Sequence, residues 1–181
     1  MKICHADRAA RCFAPAALAA LAAPAALAAL IALTALLPVA SAAPRRVEAF
    51  DAKTWTALQS GLKQPTVVVF STTDCGHCPA VLAQLRQDIG RHRAALIAVV
   101  MDLAPGQDDA GLKADAHYHP ADRLLAFAGQ APALRHAVDP RWRGVTPYVV
   151  FLTPNSPAVA VTGPPSAAEV LAWLATAARA R

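Results

Sequence analysis

Val67-Val68-Val69-Phe70-Ser71-Thr72-Thr73-Asp74-Cys75-Gly76-His77-Cys78 is the stretch whose reading decides this chain. The apolar run Val67 to Phe70 predicts a buried strand of about four residues. The residues after the cysteines, Ala80 to Ile89, predict a helix, with Val81, Leu82, Leu85 and Ile89 on one face and Gly90 closing it. A C-x-x-C pair therefore falls on the first turn of a helix, at the carboxyl end of a buried strand. A helix N-terminus offers unpaired N–H groups and a partial positive charge, both of which favour a thiolate. Two intervening residues let the sulfurs meet in a small ring. These are the parts of a thiol–disulfide exchange centre, with Cys75 as nucleophile and Cys78 as the resolving thiol. The alternatives are a structural disulfide or half of a zinc site. Zinc needs four ligands in a closed site, and the sequence has no second C-x-x-C and no H-x-x-x-H.

The chain has four cysteines, and Cys4 and Cys12 both precede a long apolar segment. Lys2, Arg8 and Arg11, offset by Asp7, form a positive start. No charge follows from Phe13 to Ala43, and Leu27 to Leu37 is the leucine-dense part. Ala40-Ser41-Ala42 fits the small-residue rule for cleavage of a signal peptide. Residues 1–42 are thus expected to be a signal peptide, or an uncleaved membrane anchor, since about 20 apolar residues span a bilayer. Pro15, Pro24, Pro38 and the abundance of alanine favour cleavage. Either way, the positive-inside rule leaves residues 43–181 outside the cytoplasm, in an oxidising compartment. The expected location is periplasmic or secreted, or inner-membrane anchored if the segment stays attached.

Three of the 17 basic and one of the 12 acidic residues lie in that leader, so the remainder carries a net charge of only +3. No Lys/Arg run is longer than Arg45-Arg46. Nucleic acid is therefore not an expected partner. The length after residue 42 suits one domain. Val47 to Phe50 reads as a short strand. Asp51 caps a helix running to about Leu62, and Ala95 to Leu103 is a second buried strand. Residues 104–116 read as loop, Ala121 to Gly129 as helix, and Arg135 to Val138 as a short extended piece. Val145 to Thr153 is a strand interrupted near its start by Pro147. It pairs with Val159 to Thr162 through the turn Pro154-Asn155-Ser156-Pro157. Ser166 caps a last helix carrying Val170, Leu171, Trp173 and Leu174. This alternation predicts an α/β sheet with helices on both faces.

Over about residues 47–178 the chain resembles the thioredoxin-like superfamily. The resemblance is carried by Val67-Val68-Val69-Phe70-Ser71, by Cys75-Gly76-His77-Cys78 and by Gly144-Val145-Thr146-Pro147, in that order and spacing. Val145 to Leu152 with Thr153-Pro154-Asn155 is most similar to the exported members that serve cytochrome c maturation. The Cys-Gly-His-Cys motif is the one found in protein disulfide isomerases. The resemblance implies a thioredoxin fold with a central mixed sheet and an exported thiol–disulfide oxidoreductase. Reductase and isomerase or oxidant roles stay open. Its partners would be protein thiol or disulfide substrates and a redox partner protein. No small-molecule cofactor and no metal are called for, because electrons pass through a mixed disulfide. The resemblance also implies that Pro147 follows a cis peptide bond facing the cysteines, so that Thr146 offers its backbone to the substrate chain.

The chain departs from the family pattern in three places. Asp74 stands where an aromatic residue usually precedes the first cysteine, and a carboxylate there opposes thiolate formation unless it is solvated. Val69 stands where many thioredoxins carry a buried acid beneath the second cysteine. Pro79 directly follows Cys78, at a helix position that tolerates proline. His77, between the thiols, is the candidate for tuning the Cys75 pKa; a solvated surface histidine is the plainer reading. Trp142 either flanks the substrate groove or packs into the core. His117-Tyr118-His119 carries the alternative of a Sco-like copper metallochaperone, which would use the same thiols and a distal histidine. That family spaces its cysteines C-x-x-x-C, unlike this chain. Thr72-x-x-Cys75 resembles a peroxiredoxin site, a family that lacks the C-x-x-C pair.

Overall fold

Strand β2, Thr66–Ser71, is buried along its whole length and lies in the interior of a six-stranded sheet. The computed structural model describes residues 46–179, so the leader at residues 1–42 lies outside the described residues. The sheet also contains β1 (Val47–Phe50), β3 (Ala95–Val100), β4 (Arg123–Phe127), β5 (Tyr148–Leu152) and β6 (Val159–Thr162), in the spatial order β1-β4-β3-β2-β5-β6. β1, β4, β3 and β2 run parallel to one another. β5 is antiparallel to β2, and β6 is antiparallel to β5. The helices are α1 (Ala52–Ser60), α2 (Cys78–Ile89), the short α3 (Asp109–Ala114), α4 (Ala131–Val138) and α5 (Ala167–Arg179), with a 3-10 turn at Ala116–Tyr118. This mixed sheet with helices on both faces is the thioredoxin fold. Among the described residues, no helix is long and apolar enough to cross a membrane.

Alternation along β2 divides the core in two, because successive side chains point to opposite faces. Val67 and Val69 pack with Val81, Leu82, Leu85 and Ile89 of α2 and with Val170, Trp173 and Leu174 of α5. Val68 and Phe70 face the other side, among Phe50, Trp55, Phe127, Leu134, Trp142 and Tyr148. Phe70 sits amid these rings, with centroids 4.9 Å from Trp142, 5.4 Å from Phe50 and 6.2 Å from Trp55. The helix ends follow the expected chemistry. The Asp51 side chain accepts from the Thr54 N–H at 2.7 Å. At the start of α5, the Glu169 carboxylate accepts from the Ser166 N–H at 2.7 Å while the Ser166 hydroxyl accepts from the Glu169 N–H at 3.3 Å. That reciprocal arrangement is a capping box.

The middle of the chain corrects the sequence reading. Residues 121–129, read as helix, contain β4. Leu124 faces the α2 side while Leu125 and Phe127 face the aromatic side. A strand covered on both faces loses the alternation that would have marked it. Arg135 to Val138, read as extended, is the end of α4, which starts with proline in its first turn and buries only Leu134. The segment read as loop contains α3, with Asp108 accepting from the Gly111 N–H as its cap. Ala95 to Leu103 ends its strand at Val100. Leu171 is 64% exposed, on the outer face of α5.

Phe70→Ala removes the ring around which one half of the core is assembled. We expect a loss of about 3–5 kcal/mol of stability, as for other large core truncations. Urea unfolding followed by tryptophan fluorescence checks this, and a loss below about 1 kcal/mol would contradict the packing described.

Candidate functional site

β2 delivers the chain to the disulfide, and the loop after it is pinned before the cysteines begin. The Thr73 N–H donates to both carboxylate oxygens of Asp102, at 3.0 and 3.1 Å, and the Thr73 hydroxyl donates to the same group. Asp102 lies two residues beyond β3, so two parallel strands fix the loop between them. The Cys75 N–H then donates to the Thr72 carbonyl at 3.2 Å, and the Cys78 N–H to the Cys75 carbonyl at 3.3 Å. Cys75 and Cys78 are joined, with an S–S distance of 1.97 Å and Cα atoms 5.5 Å apart. Cys75 is half-buried. Cys78, the first residue of α2, is 2% exposed. The two sulfurs therefore differ in access, and an incoming reagent meets Cys75 first.

Exposed polar residues flank the pair in the chain. His77 occupies the N-cap of α2, exposed, with no side-chain capping bond, and Pro79 fills the first turn. Asp74 is exposed. Val69 is fully buried in the α2-side core, and the only buried polar residues described are Thr66, Ser71 and Thr153. No described carboxylate is thus buried beneath Cys78. Two buried hydroxyls on this side of the sheet are ones the sequence reading missed. Ser71, at the end of β2, is 1% exposed and on the α2 side, and its side chain hydrogen-bonds the hydroxyl of Tyr118, itself 1% exposed. Burial raises the Tyr118 phenol above its usual range. The usable signal is Tyr118 itself, a large aromatic between His117 and His119. His117 and His119 are exposed, and His117 lies 3.4 Å from Asp115. Among the described residues, no group of three or more His, Cys, Asp or Glu is gathered that could hold a metal ion, so the copper-carrier alternative finds no support.

The second part of the site is the segment entering β5. The Thr146-Pro147 peptide bond is cis. Phe70 pairs with Tyr148 across β2 and β5. That register sets Pro147 beside the end of β2, so Thr146-Pro147 and the cysteine loop share one end of the sheet. The Gly163 N–H donates to the Pro147 carbonyl at 2.8 Å. Trp142 resolves to the packing role: it is 7% exposed and stacks on Tyr148 with centroids 4.3 Å apart. Its indole N–H donates to the Val145 carbonyl at 3.0 Å, one residue before Thr146. The Tyr148 hydroxyl donates to Asp139 at 2.8 Å. Both flanks of the Thr146-Pro147 segment are thereby held by one aromatic stack.

Asp139 anchors that stack. The Arg141 N–H, then the Arg141 guanidinium, then the Tyr148 hydroxyl hold its carboxyl from its ordinary 3.8 down to about 2. Burial, then the Asp139 carboxylate, pushes the Tyr148 phenol the other way, above its usual range. A folded-state pKa below the unfolded one means that the carboxylate stabilises the fold above about pH 4, and that this contribution is lost as pH falls towards about 2. Asp139→Asn is expected to lower the urea midpoint at neutral pH and to flatten the decline of that midpoint between these two pH values. An acid limb as steep as the parent's would show that Asp139 contributes nothing to it.

No family model and no curated protein matches the chain. Solved structures do match. MTB dsbF, in its mixed oxidized and reduced forms, is 19% identical, over 66% of this chain and 84% of that one, with a TM-score of 0.47. A putative thioredoxin from Neisseria meningitidis is 16% identical over 68% and 79%, with a TM-score of 0.49. A secreted Mycobacterium tuberculosis disulfide oxidoreductase is 17% identical over 67% and 85%, with a TM-score of 0.45. The fold stands on the chain's own strand order and directions, which carry a C-x-x-C disulfide at the start of α2 and a cis-proline at the entry to β5.

Proposed function

We propose that the chain is an exported thiol–disulfide oxidoreductase that exchanges disulfides with protein partners through Cys75 and Cys78. The observation carrying this reading is the disulfide at the N-terminus of α2, with Cys75 half-buried and Cys78 2% exposed. In the reducing direction the Cys75 thiolate attacks a partner disulfide. A Cys75–partner bond forms, and the partner's other sulfur leaves as thiolate. Cys78, once deprotonated, attacks the Cys75 sulfur, regenerates the internal disulfide and releases the second partner thiolate. Two electrons have then passed to the partner. The oxidising direction is the same sequence reversed, and the reduction potential against the compartment decides which dominates.

Each remaining residue has one task in this reading. The N-terminal end of α2 stabilises the Cys75 thiolate through its unpaired N–H groups and dipole. His77 adds positive character when protonated. Thr146 and Pro147 receive the partner backbone, supported by the bracing of both flanks by Trp142 and Tyr148. No small-molecule cofactor takes part, since the electrons travel in the mixed disulfide. Residues 43–181 form the catalytic domain. The leader at residues 1–42 directs it to the periplasm or outside the cell, cleaved or kept as an anchor.

Cys78→Ala is expected to accumulate thiol-sensitive adducts with partner proteins in cells, because nothing remains to release Cys75. Cys75→Ala should accumulate none. Adducts only in the second variant, or in neither, sink the mechanism. In the reduced protein, brief alkylation should label Cys75 ahead of Cys78.

Replacing His77 by glutamine should raise the Cys75 pKa and lower the reduction potential by tens of millivolts, where about 30 mV corresponds to 1.4 kcal/mol for two electrons. Thiolate absorbance and equilibration with glutathione measure both. Values equal to the parent's would leave His77 a bystander.

A further inference from the structure

The surface leading into Thr146-Pro147 is basic, and the exchange chemistry makes no use of that charge. Arg141 and Arg143 stand on the loop between α4 and β5, on either side of Trp142. Arg135 reaches the same place from α4. Its side chain lies over Gly144, where an added β-carbon would come within 3.2 Å of its Cδ and Nε. Gly144 has φ +87°, so this close approach and the backbone both suit glycine. Arg135 thus lies against Gly144, while Arg141 and Arg143 line one cleft together with Val145.

The opposing charge is small and already used. Asp139 is the one carboxylate lining the adjoining cleft, and it is engaged by Arg141 and by the Tyr148 hydroxyl. Arg143 is exposed, and among the described residues no carboxylate pairs with it. The cleft has a volume of about 410 Å³, with Arg141, Trp142, Arg143, Val145 and Tyr148 among its walls. Val145, 56% exposed, places an apolar side chain beside the cations. Trp142 and Tyr148, stacked and hydrogen-bonded, make the floor stiff. A stiff basic cleft with an apolar contact, continuous with the segment that would receive the partner chain, is suited to an acidic peptide.

We infer that this cleft is a docking surface for an acidic segment of the protein whose disulfide is exchanged. The inference rests on the oxidoreductase reading and names its substrate class. Carboxylates flanking the partner's cysteine would meet Arg143 and Arg135, whose planar forks suit paired carboxylate oxygens. An apolar residue between them would cover Val145. Cations at such a rim act mainly on the rate of encounter and are screened by salt. Nucleic acid does not suit the same cations, because no basic stripe extends from them along the chain and the net charge of residues 43–181 is only +3.

The test uses the reduced full-length chain and three disulfide peptides that differ only in the residues flanking the cysteines: Glu-Glu, Ser-Ser or Lys-Lys. Stopped-flow second-order rate constants are expected to fall in that order, by about tenfold from first to last at low salt, with most of the spread lost at about 0.5 M salt. Arg143→Glu should collapse the spread among the three peptides to less than about twofold, and Arg143→Lys should keep it. A folding defect would slow all three peptides alike and keep their ratios, so the loss of the spread isolates recognition. Equal rates for the three peptides, or a spread untouched by Arg143→Glu, overturn the docking surface while leaving the oxidoreductase reading intact. If the parent chain exchanges with neither glutathione nor any peptide, both readings are overturned.

Discussion

The antiparallel pairing of β2 with β5, with Phe70 opposite Tyr148, is the contact on which the rest of the molecule depends. β2 ends at Ser71 and releases the cysteine loop at that end of the sheet. β5 begins at Tyr148, so the chain entering it must pass the same end. A one-residue slip of this register would exchange every side chain of β5 between the two faces. Val149 and Phe151 would leave the α2-side core, and Tyr148 and Val150 would leave the aromatic side. Register is therefore locked by burial on both faces at once. The approach of Thr146-Pro147 to the cysteine loop follows from the same packing that stabilises the fold.

The electrostatics of the cysteine pair are spare. Fold geometry supplies the N-terminus of α2, and sequence adds His77 on one side and Asp74 on the other, both exposed. Water screens such groups, so neither dominates on its own. Beneath the pair, Val69 leaves the core without a carboxylate, and the hydroxyls of Ser71 and Tyr118 are the buried polar groups at that end of the α2-side core. Hydroxyls with pKa values far above neutrality hydrogen-bond a thiol or thiolate but do not act as a base near neutral pH. In the proposed exchange, deprotonation of Cys78 would therefore depend on solvent, or on the leaving thiolate of the mixed disulfide, more than on a buried acid.

Much of this was legible in the sequence because it was written in local signals. β2 is an uninterrupted apolar run, the cap residues Asp51 and Ser166 sit where their helices begin, and the hairpin from β5 to β6 is marked by Pro154 to Pro157. The cysteine spacing, with the apolar run before it, located the disulfide. The errors fell where local signals and tertiary context conflict. Leu124-Leu125-Ala126-Phe127 is rich in residues that favour helices, yet insertion between β1 and β3 makes it a strand. Ala131 to Val138 spans only about two turns and buries Leu134 alone, and the proline in its first turn was the usable clue. Neither the Ser71–Tyr118 contact nor the Trp142–Val145 hydrogen bond could be read from the sequence. The first joins residues far apart in the chain, and the second depends on a loop conformation set by Tyr148.

The site divides its work between the two faces of the sheet. The disulfide belongs to the start of α2, which packs on the face carrying Val67 and Val69. The Thr146-Pro147 segment is braced from the opposite face, by Trp142 and Tyr148 against Phe70. β2 is the strand shared by both halves of the core, since its residues alternate between them. A change within the α2 side can therefore alter the potential without moving Thr146. A change in the aromatic bracket can loosen the Thr146-Pro147 segment while the N-terminus of α2 stays in place. Arg143 stands exposed on the loop that hangs from that bracket through Asp139 and Trp142, so its charge can vary without disturbing either half of the core. That freedom suits residues that choose among partners, whereas the cysteines and Phe70 have no such latitude.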